Sequence, residues 1–146
     1  MGTPDIAAQS LAALIDAGHE ICAVYTRADK PVGRKQVLTA PPVKQLAVRH
    51  GIPVYQPATL RDGRAEEVFR TLAPDLVVVV AYGRILPPEL LHIARLGCIN
   101  LHVSLLPKYR GSAPIQWAVI HGDAETGVTI MQLDEGCGTG DILMVE

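Results

Sequence analysis

DLVVVVAYG, residues 75–83, places four consecutive valines between an acidic start and a glycine. β-Branched side chains favour an extended backbone. A strand with one face in water alternates apolar and polar residues, and this run does not alternate. Both of its faces must therefore be covered, as in a parallel sheet flanked by helices. It is expected to be a central strand.

Working outward, apolar runs alternate with helical patterns, which predicts an α/β fold with a mainly parallel sheet. Upstream, Thr3-Pro4-Asp5 has the marks of a helix start: a capping hydroxyl, a proline and an acid near the positive dipole end. Ile6, Leu11, Leu14 and Ile15 supply its apolar face, and Gly18 can end it. A strand is expected over 21–25, a long Lys/Arg/Gly/Pro loop over 26–40, and helices over 43–50 and 64–72. Downstream, the expected order is a helix at 87–95, a strand at 98–102, a helix at 114–120, and strands at 126–134 and 142–145. A helix opening at residue 3 normally follows a strand, and residue 146 lies inside another apparent strand. The chain therefore resembles a fragment cut at both ends.

The totals exclude several classes. The 146 residues suffice for one domain with a core, half of them are apolar, and the formal charge is −2. Neither a disordered chain nor a globally basic nucleic-acid binder fits. No apolar run reaches the roughly 20 residues that span a bilayer. Cys22, Cys98 and Cys137 form no CxxC pair, which favours a reduced, cytoplasmic protein. No histidine spacing suggests a metal, and a monomer is expected.

Three segments invite a chemical reading. Asn100 and His102 are two residues apart on a strand, so they share a face, near the carboxyl edge where open α/β sheets bind ligands. An amide donor beside an imidazole can polarise a carbonyl and hold the oxyanion formed when an amine attacks it. Equally, the two can be buried polar groups bonded to nearby loops. Gly136, Gly138 and Gly140 in DEGCGTGD imitate a phosphate loop, but a strand pattern follows instead of a helix, which favours a plain connection. Arg27, Lys30, Arg34 and Lys35 gather in one loop, which is either a solvated charge cluster or a phosphate-backbone contact.

Taken together, GTPDIAA, AYGRILP, GCINLHVSLLPKYRGSAPIQWAVIHGDAETGVTIMQLD and TGDIL resemble the methionyl-tRNA formyltransferases of the folate-dependent formyltransferase family. The resemblance implies a Rossmann-like formyltransferase catalytic domain over 1–146, with the family's C-terminal β-barrel domain for tRNA absent. It implies transfer of a formyl group from 10-formyltetrahydrofolate to the amino group of methionyl initiator tRNA, with no metal. Asn100 and His102 match two of the family's three catalytic residues. Ser104, Leu105, Leu106 and Pro107 match a folate-contacting segment, as do Tyr82, Gly83, Ile85 and Leu86 in AYGRILP, and Asp141. Arg34, with Lys35 beside it, matches the basic position that engages the tRNA acceptor end.

The chain departs from the family in three ways. The family reads Asp-x-Gly-x-Asp-Thr-Gly-Asp, and its middle Asp is the third catalytic residue. Here Asp134 and Asp141 stand at the outer positions and Gly138 at the catalytic one. The first strand of the sheet is missing upstream of Gly2, and the remainder of the family's length is missing downstream. Two other functions therefore stand beside the enzyme: an inactive folate- or RNA-binding remnant, or a formyltransferase for a nucleotide or sugar amine.

Overall fold

The computed structural model describes residues 1–102, 129–134 and 142–145, arranged as two compact units. The first comprises residues 1–62 with 80–84, and the second residues 63–79 with the chain from 85 onward.

In the first unit, α1 (Asp5–Asp16) packs against α2 (Pro42–Arg49), and β1 (Val24–Tyr25) pairs in parallel with β4 (Val54–Tyr55). Ala7, Leu11, Val24, Tyr25, Val43 and Ala47 are buried. Tyr25 and Tyr55 stack with ring centroids 5.0 Å apart. Burial pushes the Tyr25 phenol up to about 12, and neighbouring Tyr55 and Tyr82 add to the shift. Gly18 adopts φ +85° just beyond α1, as expected of a helix stop.

Thr3 does not cap α1. Its hydroxyl donates to the Tyr82 carbonyl at 2.9 Å and accepts the Arg27 N–H at 3.3 Å, and Pro4 occupies the capping position in extended geometry. Met1 and Gly2 extend the backbone pairing of this unit. Gly2 N–H donates to the Tyr25 carbonyl, and Val80 N–H donates to the Met1 carbonyl, both at 2.9 Å. Gly2 is required there, because a Cβ would sit 2.6 Å from the Val80 carbonyl oxygen.

The loop expected over 26–40 is a hairpin instead. β2 (Lys30–Val32) and β3 (Val37–Thr39) are antiparallel around the turn at 33–36, where Gly33 and Gln36 have φ +75° and +50°. Pro31 and the charged residues hide a strand pattern that has no buried face to betray it.

The second unit holds α3 (Arg64–Leu72), α4 (Pro88–Leu91) and a four-stranded sheet. The strands β5 (Val77–Val79), β6 (Cys98–His102), β7 (Thr129–Gln132) and β8 (Ile142–Val145) lie in that order. β5 and β6 are parallel, whereas β6–β7 and β7–β8 are antiparallel, so the sheet is mixed and not mainly parallel. Residues 133–141 are fewer than the dozen or so that a parallel crossover needs, which accounts for the last pairing.

β5 is shorter than 75–83 because Ala81 (φ +48°) and Gly83 (φ +88°) turn the chain. In the hydrogen-bonded order of the named strands β5 comes first, and Val80, directly after it, makes a further parallel bridge to Gly2. The helix expected over 87–95 lasts one turn, ending where the Leu90 and Leu91 carbonyls meet the buried Cys98 thiol. Burial pushes that thiol up to about 11. No helix among the described residues is long and apolar enough to cross a membrane.

Candidate active site

β6 has apolar side chains at Cys98, Ile99 and Leu101 and polar ones at Asn100 and His102. Its register is unbroken: Val77 faces Cys98, Val79 faces Asn100, Asn100 faces Met131 and His102 faces Thr129. Register partners share a face of the sheet, so Asn100 and His102 lie with Val77, Val79, Cys98, Thr129 and Met131. That face is the more buried one: Cys98 and Thr129 are fully enclosed, Met131 nearly so, and His102 is 8% exposed, while Asn100 is half-buried. The other face, with Val78, Ile99, Leu101, Ile130 and Gln132, is half-buried throughout. The i, i+2 expectation therefore holds, and His102 is the last residue of the strand, at its carboxyl edge.

An amide and an imidazole on this more buried face, fixed by pairing on both sides, form a preorganised polar pair. In such surroundings a hydrogen bond to developing charge is stronger than in water.

The turn at 81–84 is held at three successive residues. Thr3 Oγ1 donates to the Tyr82 carbonyl, Arg27 Nη1 donates to the Gly83 carbonyl at 2.8 Å, and Arg84 Nη1 donates to the Ala58 carbonyl. Tyr82 is buried, its phenol is raised by burial, and its hydroxyl has no hydrogen-bond partner among the described residues. Gly83 is exposed, Leu86 is buried, and Ile85 is 76% exposed.

The four cations of the first loop part company. Lys30, Arg34 and Lys35 are exposed on the hairpin, Arg34 and Lys35 within its turn. Arg27 is half-buried and bonded to Gly83, so it does not belong to the exposed cluster. The hairpin root carries an arrangement that local spacing does not signal. Asp29 accepts from Lys44 at 3.1 Å and from Gln56 Nε2 at 2.7 Å. The Gln56 and then the Lys44 hydrogen bond hold the Asp29 carboxyl below its usual range. Ser104, Leu105, Leu106, Pro107, Gly136, Gly138, Gly140 and Asp141, and the helix expected over 114–120, lie outside the described residues.

The chain is 54% identical over 146 residues to methionyl-tRNA formyltransferase of Pelotomaculum thermopropionicum, covering all of this chain and 47% of that protein. It is 58% identical over 144 residues to that of Desulfotalea psychrophila, covering 99% and 45%. The chain thus spans about half the length of these curated relatives. Among solved structures, phosphoribosylglycinamide formyltransferase of Bacillus halodurans superposes with a TM-score of 0.74 at 28% identity, covering 99% of this chain and 75% of that one. The pattern of one family, described as formyl transferase, matches residues 1–146. From its first residue to its last, the chain belongs to the formyl transferase family.

Proposed function

We propose that this chain is the catalytic domain of a protein that moves a formyl group from 10-formyltetrahydrofolate to the amino group of methionyl initiator tRNA, in the cytoplasm. The observation that carries the reading is the identity of 54% to a methionyl-tRNA formyltransferase along the entire chain, about twice that to the phosphoribosylglycinamide enzyme of the same fold. That difference supports an aminoacyl-tRNA acceptor over a small nucleotide or sugar amine.

The family alignment of roles falls on residues suited to them. As the amine attacks the formyl carbon, the Asn100 amide donates a hydrogen bond to the developing oxyanion, and His102 works beside it on the same face. The donor supplies the formyl group and a flat pterin, whose faces stack on apolar side chains while its rim of amine, carbonyl and ring nitrogens takes hydrogen bonds. Ile85, 76% exposed, is an apolar side chain left for such a ring to cover, and Tyr82, Gly83 and Leu86 stand beside it in sequence. Ser104, Leu105, Leu106, Pro107 and Asp141 complete the donor-binding set by resemblance. Arg34 and Lys35, exposed on the hairpin turn, bind the phosphate backbone of the tRNA acceptor end.

Gly138 favours a second reading, an inactive folate- or RNA-binding protein, because it removes the carboxylate that orients the histidine and helps take the amine proton. Formylation of methionyl initiator tRNA by the full-length protein decides between them, with donor binding measured in parallel. Binding together with formylation supports the enzyme, and binding alone supports the remnant. Transfer to a nucleotide amine in preference to the tRNA would overturn both.

A further inference from the structure

Arg27 uses three polar groups in three directions. Its backbone N–H reaches the Thr3 hydroxyl at 3.3 Å, its carbonyl accepts from Gln56 Nε2 at 3.0 Å, and its guanidinium donates to the Gly83 carbonyl at 2.8 Å. Thr3 Oγ1 donates in turn to the adjacent Tyr82 carbonyl at 2.9 Å. Two successive carbonyls of the 81–84 turn are thus held from one cluster. The Gln56 amide that supports Arg27 also reaches Asp29 at the hairpin root.

The turn depends on such a hold. Ala81 is in the left-handed region at φ +48°, where a side chain is disfavoured, and Gly83 follows at φ +88°. A Cβ on Gly83 would stand 2.9 Å from Arg27 Nη1, so the guanidinium fills the space that the glycine leaves. The bond itself is exposed, with a half-buried arginine and no core side chain involved. What the bond directly constrains is therefore the backbone of the turn.

We infer that Arg27 is a positioning residue for the formyl donor: without touching it, Arg27 fixes the Tyr82–Gly83 backbone in the form that receives it. The inference rests on the reading of this turn as part of the donor-binding segment. It concerns an arginine that spacing alone would assign to the RNA-facing cations, and it moves that residue to the other substrate.

The test is calorimetry on the full-length protein with 5-formyltetrahydrofolate, a stable analogue whose binding does not depend on turnover. Arg27→Met should raise Kd by about tenfold, the loss of one charge-assisted hydrogen bond. The fraction of sites that bind and the tRNA affinity should stay as in the parent. Arg27→Lys should recover part of the loss, because the ammonium can still donate one bond. Gly83→Ala should weaken binding similarly, and the double variant should be little worse than the worse single one. A purely structural role would lower the fraction of binding sites at unchanged Kd, and that result overturns the inference. So do fully multiplicative effects of the two substitutions. If the parent itself does not bind the analogue, the reading of the turn as donor-binding falls and takes this inference with it. If the parent binds and Arg27→Met binds equally well, only the inference falls.

Discussion

β6 and the β2–β3 hairpin both carry residues assigned to function, and they are built in opposite ways. β6 is paired on both edges, to β5 and β7, and none of its residues is exposed. Among the described residues the hairpin strands pair only with each other, and every residue from 30 to 38 is exposed. The difference suits the roles proposed for the two regions. Stabilising an oxyanion needs donors held within tenths of an ångström, which a paired strand supplies. Attracting a phosphate backbone needs positive charge within reach, and tolerates a mobile carrier.

The largest effect expected on the β6 side comes from restoring the missing acid. In serine proteases, neutralising the aspartate that orients the histidine lowers turnover roughly 10⁴-fold, although that chemistry differs. Gly138→Asp in the full-length protein should raise single-turnover formylation by orders of magnitude. Equal rates for the two proteins would mean that β6 works without a carboxylate partner. Next, in the Gly138→Asp background, His102→Ala should lower kcat by about 10²–10⁴-fold and leave donor affinity nearly unchanged, because the histidine acts on the transition state. Equal losses in rate and affinity would instead make it a binding residue.

The hairpin should respond more gently. Arg34→Ala and Lys35→Ala are each expected to weaken tRNA binding several-fold and to flatten its salt dependence, by about 0.7–0.9 in log–log slope for each phosphate no longer neutralised. Donor affinity should not move. An altered donor affinity would merge the two regions that the comparison separates. The smallest effect lies at the hairpin root. The Asp29 carboxyl titrates below its ordinary 3.8 when folded, so its tie to Lys44 is intact above that value and is lost as the pH falls beneath it. NMR signals of Lys44 and of the hairpin should shift together in that acid range while β6 signals stay fixed.

What could be read from the sequence follows the range of the interactions involved. Helix 64–72 and strands 98–102 and 142–145 agree with the structure residue for residue, because caps, glycines and apolar patterns mark them locally. The shared face of Asn100 and His102 needed only strand geometry. The hairpin escaped because a strand without a buried face leaves no periodic trace, and β4, two residues long, escaped for want of length. Arg27 could not be placed at all, since its partners lie 24, 29 and 56 positions away. The mixed sheet was hidden similarly: apolar runs announce strands, but their direction depends on connections the pattern does not describe.

One consequence of the hairpin's isolation concerns how such a protein changes over time. Val32, Val37 and Leu38 are more than half exposed, and no side chain from 30 to 38 enters the core. A segment with no stake in the interior can be lengthened, shortened or recharged while the rest of the chain folds as before. If the hairpin meets RNA as proposed, its preference among RNA partners can drift, or be grafted from one relative to another, independently of the chemistry proposed for β6.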